Sequence, residues 1–156
     1  MAEITKILVP IDFSAGSRTA VEYATMFARR TGATIDLLHA WQFPILPGDS
    51  MTGVSFSAEI ADQIERDAAK ALEEWKVALC ADVPGSRAFL AMGDPSSAVI
   101  ERAKQGYDLI IAGTHGRTGI SRWALGSVAE RIVRHAPCPV LTVRAPRHLS
   151  VASATL

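Results

Sequence analysis

Two hydrophobic periods alternate along this chain, and their alternation predicts its elements. Ile4-Thr5-Lys6-Ile7-Leu8-Val9 is short, mostly apolar and rich in β-branched residues, as a strand covered on both faces should be. Pro10 ends its donation to a ladder, Asp12 and Phe13 lie beyond its C-terminal end, and Ser14 is a suitable helix cap. From Ser14 to Thr31, Val21, Ala24, Phe27 and Ala28 recur at helical spacing until Gly32 supplies a stop. Thr34-Ile35-Asp36-Leu37-Leu38-His39-Ala40 is a second strand.

Trp41 to Phe56 has prolines and glycines but no period, and reads as a long loop serving as a lid or a dimer-contact flap. Ser55 or Ser57 caps the longest helix, whose apolar stripe is Ile60, Ile64, Ala68, Ala71, Leu72, Trp75 and Leu79. Asp62 and Arg66 form a favourable i,i+4 pair on it. After Val83-Pro84-Gly85, Arg87–Met92 is a third strand. Asp94-Pro95 then pairs an N-cap with proline at the first helical position, and Val99, Ile100 and Ala103 face inward until Gly106. Asp108–Ala112 is a fourth strand. A glycine-punctuated loop follows, then a helix over Ser127–Ala136, the Pro137-Cys138-Pro139 break, and a fifth strand at Val140–Val143.

The order is β-α-β-α-β-α-β-α-β. Right-handed crossovers then require an α/β fold: a doubly wound, Rossmann-like parallel sheet of five strands, ordered 3-2-1-4-5, with helices on both faces. One domain is expected over residues 1–145, with a loose tail at 146–156. Ligands of such sheets bind beyond the C-terminal strand ends where the strand order reverses, here between strands 1 and 4. Topology therefore brings Asp12 and Gly113 together across the chain.

Composition narrows the partners. The net charge is zero, which gives no general basic surface for nucleic acid. From Gly113 to His148, however, six arginines (117, 122, 131, 134, 144 and 147) face one acid, Glu130, so positive potential gathers around the glycine loop. Cys80 and Cys138 have no metal-type or redox spacing, and neither a signal peptide nor a membrane-length apolar run is visible. A reduced, cytoplasmic chain is expected.

The candidate chemistry lies in Gly113, Gly116, Gly126 and Ser127, spaced G-x2-G-x9-G-S between a strand and a helix start. Missing side chains let backbone amides approach phosphate oxygens, and the helix N-terminus adds its dipole. A plain strand-to-helix loop whose glycines adopt positive φ is the competing reading. Ser127-Val128-Ala129-Glu130 also has the form of a capping box, in which the serine satisfies backbone donors. Asp12 can accept from a ribose hydroxyl or an adenine amine, or serve as a turn residue before the Ser14 cap. Arg117 and Arg122 can pair with phosphates or be solvated, His115 has no triad or metal partner, and Ala40 can floor a base pocket or simply pack. There is no Walker A lysine motif and no G-x-G-x-x-G run. A response-regulator reading fails because Asp12 lacks an acidic neighbour, Asp94 looks like a cap and Arg144 stands where a lysine is needed.

Pro10-Ile11-Asp12-Phe13-Ser14, Leu37-Leu38-His39-Ala40, Gly113-Thr114-His115-Gly116-Arg117, Leu125-Gly126-Ser127-Val128-Ala129-Glu130 and Ala136-Pro137-Cys138-Pro139-Val140-Leu141 together resemble the universal stress protein family, over about Ile4 to Arg144. The intact G-x2-G-x9-G-S pattern is that of its ATP-binding branch. The resemblance implies a bound adenine nucleotide (ATP, ADP or AMP), with or without Mg²⁺. It places Pro10 and Asp12 near the adenosine and Ala40 against adenine, where a valine is common in the family. Ala112, Gly113, Gly116, Arg117, Gly126, Ser127 and Val128 would surround the ribose and phosphates. It also implies homodimers through the last strand, 139–143, which suits the physics of an apolar edge. The expected function is a nucleotide-dependent regulator or sensor of stress with an unknown protein partner. A slow ATPase or autophosphorylating enzyme is the alternative, disfavoured because Asp12 has no second carboxylate for Mg²⁺ or base chemistry. A nucleotide-free interaction module is a third reading, against which the intact glycine pattern argues.

Overall fold

The computed structural model describes residues 3–42, 58–114 and 125–145. Five strands form one parallel sheet: β1 (Lys6–Pro10), β2 (Thr34–Trp41), β3 (Arg87–Met92), β4 (Leu109–Gly113) and β5 (Val140–Val143), in the order β3-β2-β1-β4-β5. Among the described residues four helices connect them: α1 (Ala15–Thr31), α2 (Ala58–Asp82), α3 (Pro95–Ala103) and α4 (Ser127–His135). The expected fold class and strand order are those observed.

Side-chain alternation along the strands divides the core in two. Ile7 and Val9 of β1, with Ile35, Leu37, Leu109 and Ile111, pack against Ala20, Ala24 and Ala28 of α1 and Leu72 and Leu79 of α2. Leu8, with Leu38, Ile110 and Ala112, packs on the other face against Val99 and Ala103 of α3 and Ile132 of α4. Each buried Val, Leu or Ile among them contributes about 1.5–3 kcal/mol by leaving water. Helices on both faces explain why the strands read as continuous apolar runs.

Local signals account for most boundaries. Ser14 caps α1 by accepting from the Ser17 N–H at 3.3 Å, and Gly32 ends it at φ 77°. Asp94 caps α3 through the Ser97 N–H, with Pro95 at its start. Trp41, expected to open a loop, instead ends β2, because it pairs with Met92 of β3 and is buried. Asp108 precedes β4 and accepts from the Thr5 N–H, the Thr5 hydroxyl and the Lys6 N–H, which ties the start of β1 to that of β4. These bonds hold its carboxyl below the ordinary carboxylate range.

Two expectations on α2 fail. Ile60 is 45% exposed rather than part of the buried stripe, since inward packing begins near Ile64 and Ala68. Arg66 donates to Gln63 rather than pairing with Asp62. The rest of the Trp41–Phe56 loop beyond Gln42, the Ser55 or Ser57 cap and the 146–156 tail lie outside the described residues. Among the described residues no helix is long and apolar enough to cross a membrane.

Candidate functional site

Where the strand order reverses, β1 and β4 leave the sheet in opposite directions, β1 into α1 and β4 toward α4. A cavity of about 270 Å³ opens there. Its walls come from Pro10 at the end of β1, Ile11 and Asp12 after it, Ser17 of α1, Leu38 and Ala40 of β2, and Pro95 and Val99 of α3. They are completed by Ala112, Gly113 and Thr114 at the end of β4 and by Gly126, Ser127, Val128, Ala129 and Ile132 at the start of α4. Of the expected site residues, Pro10, Asp12, Ala40, Ala112, Gly113, Gly126, Ser127 and Val128 are thus brought to one cavity. Gly116 and Arg117, with His115, Gly119 and Arg122, lie outside the described residues.

The two ends of the segment between β4 and α4 are clasped together. The Gly126 N–H donates to the Thr114 carbonyl at 2.8 Å, and the Thr114 N–H donates to the Val143 carbonyl at 2.8 Å. This pair of bonds fixes the first turn of α4 beside the end of β4. Gly126, not Ser127, is the N-cap, and no side chain caps the helix. The capping-box expectation is therefore corrected: Ser127 is the first helical residue, and the Glu130 carboxylate pairs with Arg134 at 2.7 Å. A helix leaves its first N–H groups without intrahelical acceptors, and those of Ser127, Val128 and Ala129 are on residues that line the cavity. The Glu130 N–H is the first to bond within the helix, to the Gly126 carbonyl at 2.8 Å. Such a turn receives an anion.

Neither Gly113 nor Gly126 owes its place to an unusual dihedral. Gly126 has φ −61° and ψ 149°, values open to any residue. Gly113 is not among the positive-φ glycines, but a Cβ there would stand 2.9 Å from the backbone carbonyl carbon of Gly16. The end of β4 and the first turn of α1 touch backbone to backbone, a contact that nothing local to Gly16 announces.

Asp12 is held from several sides. The Ser17 hydroxyl donates to its Oδ1 at 2.6 Å and accepts from its N–H at 2.9 Å, while the Ser14 N–H donates to the same Oδ1 at 3.1 Å. Phe13 between them has φ 66°, a left-handed conformation costing about 1–2 kcal/mol for a residue with a side chain. Its ring sits 4.4 Å from that of His39 and 5.7 Å from that of Trp75, which fixes it. His39 Nδ1 donates to the Ile11 carbonyl at 2.8 Å, since a carbonyl can only accept. Ser17, Phe13 and His39 thus orient the Asp12 loop. Nothing local in the sequence marks Phe13, His39 or Ser17 as a support of Asp12.

The remaining wall is apolar: Leu38, Ala40, Pro95, Val99 and Ile132. Pro95 and Val99, a helix start and a core position by sequence, also line the cavity. Next to Pro95 in the chain, Asp94 accepts from Ser96, Ser97 and, at 3.5 Å, Arg131 of α4. The Ser96 hydroxyl above all, then the Ser97 amide and hydroxyl, hold its carboxyl down to about 2. Among the described residues no group of three or more His, Cys, Asp or Glu side chains could hold a metal ion.

The universal stress protein family model matches residues 3–144. The chain belongs to the universal stress protein family. Among its relatives, universal stress protein YxiE of Bacillus subtilis is 30% identical over 145 residues, covering 89% of this chain and 98% of YxiE. The universal stress protein UspA from Lactobacillus plantarum superposes with a TM-score of 0.77 at 28% identity, over 92% of this chain and all of that one. A universal stress protein family member from Arabidopsis thaliana, solved with AMP bound, superposes with a TM-score of 0.61 at 25% identity, over 91% of this chain and 92% of that one.

Proposed function

We propose that this universal stress protein binds an adenine nucleotide, ATP, ADP or AMP, in the cavity between the ends of β1 and β4, and acts as a nucleotide-dependent regulator or sensor. The observation that carries the reading is the meeting, in one cavity, of an anchored carboxylate, an uncapped helix N-terminus and an apolar wall. A nucleotide needs all three: acceptors for hydroxyl or amine donors, amides for phosphate oxygens, and an apolar surface for the base. The Arabidopsis relative with AMP bound supports adenine as the base.

In this reading Asp12 accepts from the nucleoside, and the amides of Ser127, Val128 and Ala129 with the Ser127 hydroxyl face the phosphates. Phosphate stays away from Asp12, because two anions in one cavity repel. Gly113 and Thr114 border the sugar, and Ala40 with Leu38, Pro95 and Val99 contact the base. Gly116 and Arg117 would close over the phosphates. Any Mg²⁺ would enter on the nucleotide's own phosphates.

We further propose that the chain is cytoplasmic and pairs with a second copy through β5. That strand is the edge of the sheet, with Val140, Leu141 and Thr142 only half-buried. Calorimetric titration with ATP, ADP and AMP tests the binding step. Saturable one-to-one binding of at least one of them is expected; heats of dilution alone for all three would overturn the reading.

A further inference from the structure

Ser17 lies on α1, outside every glycine or phosphate motif, yet it borders the cavity and is only 5% exposed. A hydroxyl carries one donor and two acceptor positions. Here the donor goes to Asp12 Oδ1 at 2.6 Å, one acceptor position takes the Asp12 N–H at 2.9 Å, and the other faces the Ser14 hydroxyl at 3.5 Å. Its hydrogen-bonding capacity is therefore used within the protein, and Ser17 has little left with which to grip a ligand itself. The same atom that orients the Asp12 carboxylate also fixes the Asp12 backbone, just before the left-handed turn at Phe13.

We propose that Ser17 is a positioning residue: it holds the Asp12 carboxylate in one orientation at the cavity wall, and so sets which hydrogen-bond donor of the bound nucleoside the protein recognises. The proposal rests on the nucleotide reading of the cavity. A carboxylate pinned at Oδ1 by a hydroxyl and an amide presents a fixed direction to a ligand donor. One that has lost the short Ser17 bond is held less tightly and accepts from several donors with less preference. Charge-assisted acceptors discriminate strongly only when geometry is fixed.

The test compares the intact chain with Ser17→Ala, Ser17→Thr and Asp12→Ala, and reads two things. The first needs no ligand: the Asp12 Hα–Hβ scalar couplings by NMR. One rotamer is expected in the wild type and in Ser17→Thr, which keeps the hydroxyl, and rotamer averaging in Ser17→Ala. The second is the affinity for AMP, 2′-deoxy-AMP, 3′-deoxy-AMP and inosine monophosphate. In the wild type at least one of the three donor-deleted or donor-replaced analogues should bind tenfold or more weakly than AMP. That ratio should collapse to within about threefold of unity in Ser17→Ala and Asp12→Ala, and return in Ser17→Thr. If Ser17→Ala weakens all four nucleotides equally, or leaves Asp12 in one rotamer, the residue is merely structural and the proposal fails. If the wild type binds none of the four, the nucleotide reading itself fails, and with it the claim that Ser17 sets nucleoside recognition. The couplings would still report separately whether Ser17 holds Asp12.

Discussion

A Cβ placed on Gly113 would stand 2.9 Å from the carbonyl carbon of Gly16 and 3.0 Å from its oxygen. Both contacts are with backbone, so no side chain can swing aside. The end of β4 and the start of α1, the two elements that bring Gly113 and Asp12 to the cavity, are as close as two backbones come. Gly113→Ala is expected to push them apart, with a loss of about 1–3 kcal/mol in urea denaturation. Nucleotide affinity should fall as well, because both walls move. A variant with wild-type stability and affinity would show that the approach is not needed.

Ala40 offers a cleaner way to separate binding from folding. It is half-buried at the cavity wall near the end of β2, paired with Ala91. Ala40→Phe should fill the apolar part of the cavity and abolish nucleotide binding, while the unfolding midpoint stays close to that of the wild type. Undiminished calorimetric binding would move the base elsewhere.

Acid should act through Asp94. Its carboxyl titrates near 2 in the folded chain against an ordinary 3.8, so the folded state binds fewer protons than the unfolded one between those values. The stability this contributes is present above about pH 4 and is lost as the pH falls toward 2. Asp36 and Asp108 are shifted the same way, so the comparison must be with a variant. Asp94→Asn retains a capping side chain but no charge, and its stability should fall less than that of the wild type between pH 4.5 and 2.5. Parallel losses for both proteins would contradict the assignment.

At the other end of the sheet, Asp36 is completely buried in β2. Its Oδ1 accepts from Arg87 Nε at 3.0 Å, and its Oδ2 from Arg87 Nη2 at 2.7 Å and the Tyr107 hydroxyl at 2.6 Å. Burial alone would raise its carboxyl; the Arg87 and Tyr107 hydrogen bonds, with the charges of Arg87 and Lys6, outweigh it and bring it below the ordinary range. Arg87 itself is 56% exposed. The two halves of the pair should therefore differ. Arg87→Met strands a buried carboxylate and should cost about 2–4 kcal/mol, whereas Asp36→Leu leaves an arginine that water can solvate and should cost less. Equal losses in chemical denaturation would refute this asymmetry.

These residues also show where a sequence can be read and where it cannot. Strand and helix order follow from local period, caps and stops, and order alone places Asp12 and Gly113 at one switch point. Asp36 resisted because its partners are 51 and 71 residues away, and nothing local announces them. Ser17 resisted because its contact depends on the left-handed turn at Phe13, which folds Asp12 back onto α1. Ser127 was misplaced by a motif that fits both a capping box and a helix whose cap is the preceding glycine. Gly113 carries a constraint that no motif announces, since it comes from the backbone of Gly16, far away in the chain, and not from a positive φ.

Whether nucleotide lies between Asp12 and the first turn of α4 is tested most directly by an amide chemical-shift titration of the ¹⁵N-labelled chain with ATP, and with AMP if ATP produces no shifts. The largest shifts should fall together on Asp12, Gly113, Gly126, Ser127 and Val128, from segments far apart in the chain, and saturate with one constant. No saturable shifts with either nucleotide, or shifts gathered on another face of the sheet, would contradict the account.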